Sequence, residues 1–440
     1  MTIPRETDVL ILGGGPTGST AGMVLAREGV RSILIESERH PRFHVGESLL
    51  PHSLPMFDRL GVHDAIRALP HTLVKPGATF CSHDGEERTS FWFDESAAPV
   101  IPHAYNVRRD EFDELLLRQA GERGVDVREP WKAVAPEWEG TRLAGVRVRT
   151  EDGEEGTIRA KCVLDATGQH AFLATRMGWK TVYPDHRKLA IVGHFEGVER
   201  MTGRAAGNIV IIITNAGWYW LIPFADGTTS VGVVLDVARY GGIEGGLDAQ
   251  FDAAIEATPE AKRQLSAARR LFPAAAVQNF SFKVSQTHGD GFAMIGDAAG
   301  FLDPIFSSGI LIGMAGAERA ALDVAAAVKR VGRVDAKDTA RCAVLNRRLQ
   351  KYFFMMIRAY YDRHFIEVFL TPPKEGERLP GEKFGIRPAV TSLLAGDVIG
   401  PGRWRKRSRF LMLKGLGRVQ SLVRRVGGQI VRPLENVPGA

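Results

Sequence analysis

A glycine-rich turn, Gly13-Gly14-Gly15-Pro16-Thr17-Gly18, lies close to the start of the chain, and turns of this kind can hold a phosphate against bare backbone. An apolar run of strand length, residues 7–13, leads into it. An Ala- and Leu-rich helical stretch follows as far as Gly29, and a second strand, RSILIES, ends near Glu36. Together these form a strand, turn, helix and strand with a terminal acid, and each part has a physical task in binding a dinucleotide. Gly13 permits the tight turn, and Gly15 lets the backbone approach a pyrophosphate at the helix N-terminus. Gly18 lets helix and strand pack closely, and Glu36 accepts the ribose hydroxyls. Pro16 and Thr17 belong to the same cofactor-binding turn.

Three further stretches hold candidate chemistry. In AGWYWLIPFADG, residues 216–227, Trp218 and Trp220 stand two positions apart ahead of Ile222 and Pro223. Strand side chains alternate faces, so the two indoles share one face while Tyr219 and Leu221 take the other. They make a flat, rigid, water-excluding wall. Taken alone, the pair reads as core packing or as the edge of a substrate slot. At Asp303-Pro304-Ile305-Phe306-Ser307-Ser308-Gly309 a helix should begin, with free N–H groups and its positive end pointing outward. That geometry holds an anion, or equally serves as an ordinary serine N-cap. Lys75, just before Pro76-Gly77, reads by itself as a surface turn residue.

The elements that must position these residues follow from periodicity. Residues 207–237 read as three short strands joined by hairpin turns at NAG and ADG, an antiparallel sheet inserted between halves of the nucleotide-binding domain. Residues 315–330 are Ala-rich. Residues 339–370 carry Leu345, Leu349, Tyr352, Phe353, Met356, Tyr360, Phe365 and Phe369 at helical spacing, most of them for the core. Pro372-Pro373 and the polar KEGERLPGEK mark a loop. The amphipathic FLMLKGLGRVQSLVRRV then reads as a helix docked on the body rather than on a membrane.

Composition narrows the class. A chain of 440 residues with 44% hydrophobic and 25% charged residues suits two or three packed domains. No apolar run is long enough to span a bilayer, and the N-terminus enters a strand at once, so the expectation is a soluble cytoplasmic protein. Cys81, Cys162 and Cys342 are far apart, which suggests neither a disulfide framework nor a metal site. Residues 401–440 hold ten Lys or Arg against the single acid Glu435. That tail carries +9 of the net +6, leaving −3 on the rest. Such a tail can meet an acidic partner or be the solvated face of a packed helix, and nucleic acid is not expected as a partner.

A second segment names the dinucleotide. GFAMIGDAAGFLDP, residues 291–304, places Gly296-Asp297 at a strand end before small residues that open a helix. With FHVGESLLP (43–51), VRRDEFDELLL (107–117) and LDATG (164–168), it resembles, in the right order, the motifs of the para-hydroxybenzoate hydroxylase-like flavoproteins. That resemblance implies FAD, held by Gly296 and Asp297 at the ribityl chain and by Gly46, Glu47, Ser48, Arg109 and Ile310. Single-component hydroxylases of that group carry an Asp-Gly signature serving both flavin and nicotinamide. Here the corresponding region reads Asp165-Ala166-Thr167-Gly168, which points to reduced FAD delivered by a separate flavin reductase.

The pattern Trp218-x-Trp220-x-Ile222-Pro223, taken with Gly13-x-Gly15-x-x-Gly18, is similar to the paired signature of flavin-dependent halogenases, over roughly residues 5–375. The resemblance implies an α/β fold: a Rossmann-like FAD-binding domain, an inserted antiparallel β-sheet substrate domain and a helical C-terminal region. The expected boundaries are 1–75, 105–185 and 285–335 for the FAD-binding domain, 76–104 and 186–284 for the sheet domain, and 336–440 for the helical region with its basic tail. It also implies that reduced FAD and oxygen turn chloride or bromide into hypohalous acid. Trp218, Trp220, Ile222 and Pro223 would keep the organic substrate from the oxidant. Ser308 and Gly309 match the halide-binding pair, and Lys75 matches the essential lysine that holds hypohalous acid beside the ring, as a chloramine or by a hydrogen bond. Members that act on free tryptophan carry a Glu two residues before the anion-site serine or threonine, where this chain has Phe306. DPIFSSG looks like the phenol and pyrrole branch, with a substrate free or tethered to an acyl carrier protein, whose acidity would suit GRWRKRSRF. Two alternatives stay open: a flavin hydroxylase or other oxidoreductase of the same fold, and a non-catalytic flavoprotein acting as a binding subunit.

Overall fold

A computed structural model of the chain describes residues 2–97, 101–237, 246–278, 280–361, 366, 370 and 386–397. The expectations for Phe365, Phe369, the Pro372-Pro373 loop, the amphipathic segment and the basic tail lie outside the described residues.

The strand Glu6–Leu12 is wholly apolar from Val9 on, and Val9, Leu10, Ile11 and Leu12 are completely buried, as a central parallel strand covered on both faces requires. It pairs in parallel with Ser32–Ile35 on one side and Glu155–Asp165 on the other. Asp126–Arg128 and Phe292–Met294 extend the parallel sheet outward on the two sides. The glycine turn feeds the helix Pro16–Arg27, with Pro16 in its first turn, where a missing N–H costs nothing. This helix packs against Gly309–Val331 at Gly313 and against the turn Gly296–Ala299 at Gly296. A Cβ on Gly313 would sit 2.3 Å from Thr17 Oγ1, and one on Gly296, already at φ +60°, would sit 2.7 Å from it.

The second sheet runs, in spatial order, Arg269–Arg270, Lys188–Glu196, Thr229–Asp236, Gly217–Pro223, Ile209–Ile213, Gly77–Ser82 and Arg88–Trp92. Ala275–Gln278 also pairs with Lys188–Glu196. The hairpins expected at NAG and ADG close through Thr214 N–H to Gly217 O at 3.0 Å and Phe224 N–H to Thr228 O at 2.9 Å, with Gly227 at φ +91°. The sheet departs from the antiparallel expectation at one pair: Ile209–Ile213 runs parallel to Gly77–Ser82. A long crossover, not a hairpin, joins those two strands, and only a crossover can produce a parallel pair.

Alternation along the tryptophan strand divides two cores. Trp218, Trp220 and Ile222 join the cluster that includes Phe91, Phe306 and Leu311, whereas Tyr219 and Leu221 join Phe251, Ala254 and Leu265. Each indole contributes roughly 4–6 kcal/mol of transfer energy at about 25 cal/mol per Å². The wall is therefore also a structural element, and phenylalanine rather than alanine is the informative replacement.

The helix Gly309–Val331, ended by Gly332 at φ +69°, precedes the expected helical region, within which Ala336–Tyr361 and, further on, Ile386–Leu394 are helices. Among the described residues no helix is long and apolar enough to cross a membrane. All three cysteines are free and buried, and burial pushes the thiols of Cys81 and Cys342 up to about 12 and that of Cys162 further still.

Candidate active site

The glycine turn has the shape that a pyrophosphate needs. A side chain at Gly13, at φ +101°, would strike Ala166 O at 2.5 Å, and one at Gly18 would strike Gly13 O at 1.9 Å. At Gly15 the space is open instead: a Cβ there would meet only Arg42 Nη2 at 3.7 Å and Asp113 Oδ2 at 4.0 Å. The carboxylate of Glu36 accepts Gly14 N–H at 2.7 Å and Glu38 N–H at 3.0 Å, which ties the second strand's end to the turn.

Arg109 opens the helix Arg109–Glu122 and is nearly buried. Its guanidinium forks onto Asp113 at 2.7 and 2.8 Å and donates to Val45 O at 2.7 Å, fixing the loop that carries Gly46, Glu47 and Ser48. Gly46 sits at φ +104° with Arg109 Nη1 3.1 Å from the place a Cβ would take. Glu47 Oε1 pairs with His194 Nε2 at 2.7 Å, and Glu47 Oε2 is buried without a hydrogen-bond partner. Burial raises the Asp297 carboxyl to about 6 against the pull of Arg109. Gly309 backs onto Asp297, its would-be Cβ 3.8 Å from Oδ1, so the turn at Ser307-Ser308-Gly309 and the Gly-Asp turn adjoin. Asp165 is consumed by its own loop: it accepts Thr167 Oγ1–H at 2.6 Å and Leu173 N–H at 2.8 Å, and burial raises its pKa.

Lys75 is not a surface turn residue. It ends the strand Leu73–Lys75, which pairs with Ala104–Asn106, and only 2% of it is exposed. Its Nζ donates to Ser48 Oγ at 2.7 Å and to Leu49 O at 3.1 Å, and lies 5.4 Å from the Phe93 ring centre. With no carboxylate among the described residues acting on it, burial pushes its ammonium down from 10.5 to about 7. The sign of the stability effect follows. Between about 7 and 10.5 the unfolded chain keeps a proton that the folded chain does not, so the penalty of burying Lys75 is complete below 7 and gone above 10.5. Replacing Lys75 by methionine should therefore raise the thermal midpoint most at pH 6, with the gain shrinking toward pH 10. Calorimetry across that range checks it, and a gain independent of pH would contradict it.

Trp218 and Trp220 lie 5.7 Å apart, ring centre to ring centre, and Trp220 Nε1 donates to Ser230 Oγ at 3.2 Å. Gly232, opposite Trp220 on the neighbouring strand, leaves room for the indole: a Cβ there would lie 2.0 Å from the ring. Ile222 is buried beside them, and Pro223 ends the strand. Ser308 precedes Gly309–Val331 as its N-cap residue without a side-chain cap bond, so the leading amides of that helix are not bonded by its own hydroxyl. Ile310 follows, half-buried on the main core. Phe306, in the place of the missing carboxylate, is buried edge-on to Tyr360 at 6.0 Å.

One residue that the motifs did not single out joins these parts. Asn106 Nδ2 donates to Gly207 O at 3.0 Å and to Pro223 O at 3.1 Å, while its strand pairs with that of Lys75. Gly207 packs so tightly on Val74 O, 1.8 Å from a would-be Cβ, that no side chain fits between the lysine strand and the sheet. An asparagine at the end of the apolar strand AYN was the available signal. Asp303, Tyr361, His186 and His194 were likewise unassigned by the sequence.

The family model described as FAD binding domain matches residues 6–350. A flavin-dependent halogenase of Armillaria mellea is 33% identical over 353 residues, covering 74% of this chain and 66% of that protein. A tryptophan 2-halogenase of Chondromyces crocatus is 32% identical over 342 residues, 76% of this chain and 64% of that protein. The chain thus spans just under two thirds of the length of the first curated relatives it matches. A 1H-pyrrole-2-carbonyl-[peptidyl-carrier protein] chlorinase of Pseudomonas fluorescens is 31% identical over 357 residues, 74% of this chain and 77% of that protein. Among solved structures, a flavin-dependent brominase superposes with a TM-score of 0.80 at 26% identity, covering 96% of this chain and all of that one.

Proposed function

Because the chain belongs to the FAD binding domain family and, within it, to the flavin-dependent halogenases, we propose that it is a cytoplasmic two-component halogenase of electron-rich phenols or pyrroles, using chloride or bromide. The observation that carries this reading is Lys75, a buried amine whose ammonium burial pushes down to about 7, held by Ser48 Oγ and Leu49 O with no carboxylate beside it among the described residues.

FAD, when bound as its reduced form with oxygen, supplies the oxidant that converts halide to hypohalous acid. Gly13, Gly15, Pro16, Thr17, Gly18 and Glu36 would hold its adenosine diphosphate half, and Gly46, Glu47, Ser48, Arg109, Gly296, Asp297 and Ile310 its flavin half. The open backbone at Gly15 and the unpaired Glu47 Oε2 support that fit. Ser308 and Gly309 offer halide their amides at the positive end of a 23-residue helix. Trp218, Trp220, Ile222 and Pro223 exclude water and the organic ring from the oxidant's side. Lys75 receives hypohalous acid. In the neutral amine two N–H bonds go to Ser48 Oγ and Leu49 O, which leaves the lone pair to face the incoming oxidant.

A separate flavin reductase delivers the reduced cofactor, and the closed Asp165 loop supports this, since no carboxylate is left there for a nicotinamide-binding signature. Phe306 in place of a carboxylate favours a substrate that activates its own ring, by losing a phenolic proton or through pyrrole nitrogen. The pyrrole relative supports a substrate carried on an acidic acyl carrier protein. Incubation with FAD, reductase, NADH, bromide and a panel of phenols, free and carrier-bound pyrroles and tryptophan should give a brominated phenol or pyrrole by mass spectrometry. Bromotryptophan would replace the substrate class. A product heavier by one oxygen would replace halogenation with hydroxylation, and bound FAD without turnover would leave a binding subunit.

A further inference from the structure

The side chain of Asp303 is completely buried, five residues before Ser308. Its Oδ1 accepts Ile305 N–H at 3.0 Å and so caps the short turn Pro304–Phe306. Its Oδ2 accepts the Tyr361 hydroxyl at 2.9 Å and lies 3.2 Å from His186 Nε2. Tyr361 Oη in turn accepts Trp218 Nε1–H at 3.1 Å. The proton directions are forced. An indole N–H can only donate and a phenol has one proton, so Tyr361 must pass its own to the carboxylate. The Tyr361 ring is also pinned, with His186 edge-on at 5.0 Å and Lys188 Nζ 4.6 Å from its centre.

The turn so anchored needs an anchor. Ser307 sits at φ +53°, a left-handed conformation that disfavours any residue but glycine and persists only where neighbours impose it. Ser308 and Gly309 follow directly on that reversal.

We propose that Asp303 and Tyr361 are positioning residues that couple the tryptophan wall to the anion turn, so that the turn grips halide tightly only while Trp218 is seated. The proposal rests on reading Ser308-Gly309 as the halide site. A molecule that wedged Trp218 aside would then loosen the halide before it met the oxidant.

The test is the bromide dependence of halogenation. Tyr361→Phe keeps the ring and deletes the relay, and should raise the bromide KM about tenfold, the size of one charge-assisted hydrogen bond, with kcat at saturating bromide falling less than about threefold. Trp218→Phe should raise the KM similarly, and the double variant should add little, because one break already severs the relay. A KM within about twofold of the parent in Tyr361→Phe, or full additivity in the double variant, overturns the coupling. Bromide-soaked crystals separate the two layers. No bromide beside the Ser308 and Gly309 amides of the parent enzyme removes the halide site itself. Bromide there, with unchanged KM and occupancy in Tyr361→Phe, removes the coupling alone.

Discussion

Replacing Lys75 by alanine should reduce halogenated product at least ~1000-fold while oxidation of reduced FAD and release of hydrogen peroxide continue. Holding an oxidant beside its target can contribute roughly 7–11 kcal/mol, and about 4 kcal/mol of that already amounts to three powers of ten in rate. The truncation also leaves Ser48 Oγ and Leu49 O without their donor, at a cost of about 1–3 kcal/mol, so loss of activity alone could reflect a weakened fold. Lys75→Met supplies the control: it fills the space, is expected to be more stable than the parent below pH 7, and should be equally inactive. Product by mass spectrometry, set against peroxide by a coupled assay, reads the outcome. Halogenation that survives in either variant would take Lys75 out of the reaction.

The second large effect is expected at Gly18. A methyl group there would lie 1.9 Å from Gly13 O, a contact between two stretches of backbone that no rotamer change relieves. Gly18→Ala should therefore push apart the glycine turn and the strand before it. The expected result is destabilisation of about 3 kcal/mol or more and FAD affinity lowered at least ~100-fold, read by thermal unfolding and by flavin fluorescence titration. Gly15→Ala makes the contrast. The nearest atoms there are 3.7 Å away, so the apo fold should hold while cofactor affinity falls. Equal stability losses at both positions would mean that the turn is not shaped around a ligand.

The difference between those two glycines explains what the sequence could reveal. The positive φ of Gly13 and the contact of Gly18 with Gly13 O are local backbone geometry, defined by residues a few positions apart, and the strand, turn, helix and acid around them were readable for that reason. The faces of the tryptophan strand were readable too, because alternation is a property of any strand, and the two cores divide along it. Lys75 was recognised only through a family pattern. Its own neighbours, Pro76 and Gly77, describe a surface turn, and its burial comes from pairing with Ala104–Asn106 and from the close approach of Gly207. The relay through Tyr361 was invisible. Its members stand 143 and 58 residues apart, and nothing in the helical spacing of Ala336–Tyr361 marks its last hydroxyl as different from the core aromatics before it. The parallel pairing of Ile209–Ile213 with Gly77–Ser82 likewise depends on a long crossover that local turn signals do not encode.

The three buried cysteines acquire meaning beside this chemistry. Hypohalous acid consumes thiolates faster than almost any other group in a protein, and here every sulfhydryl is both sheltered and kept protonated. If the chain makes hypohalous acid as proposed, its exterior offers stray oxidant no sulfhydryl, which would spare the catalyst from self-inactivation by that route. The same silence makes the surface a clean background: a single cysteine installed at a chosen spot would act as a dosimeter, its oxidation recording where the reagent leaks out and how often.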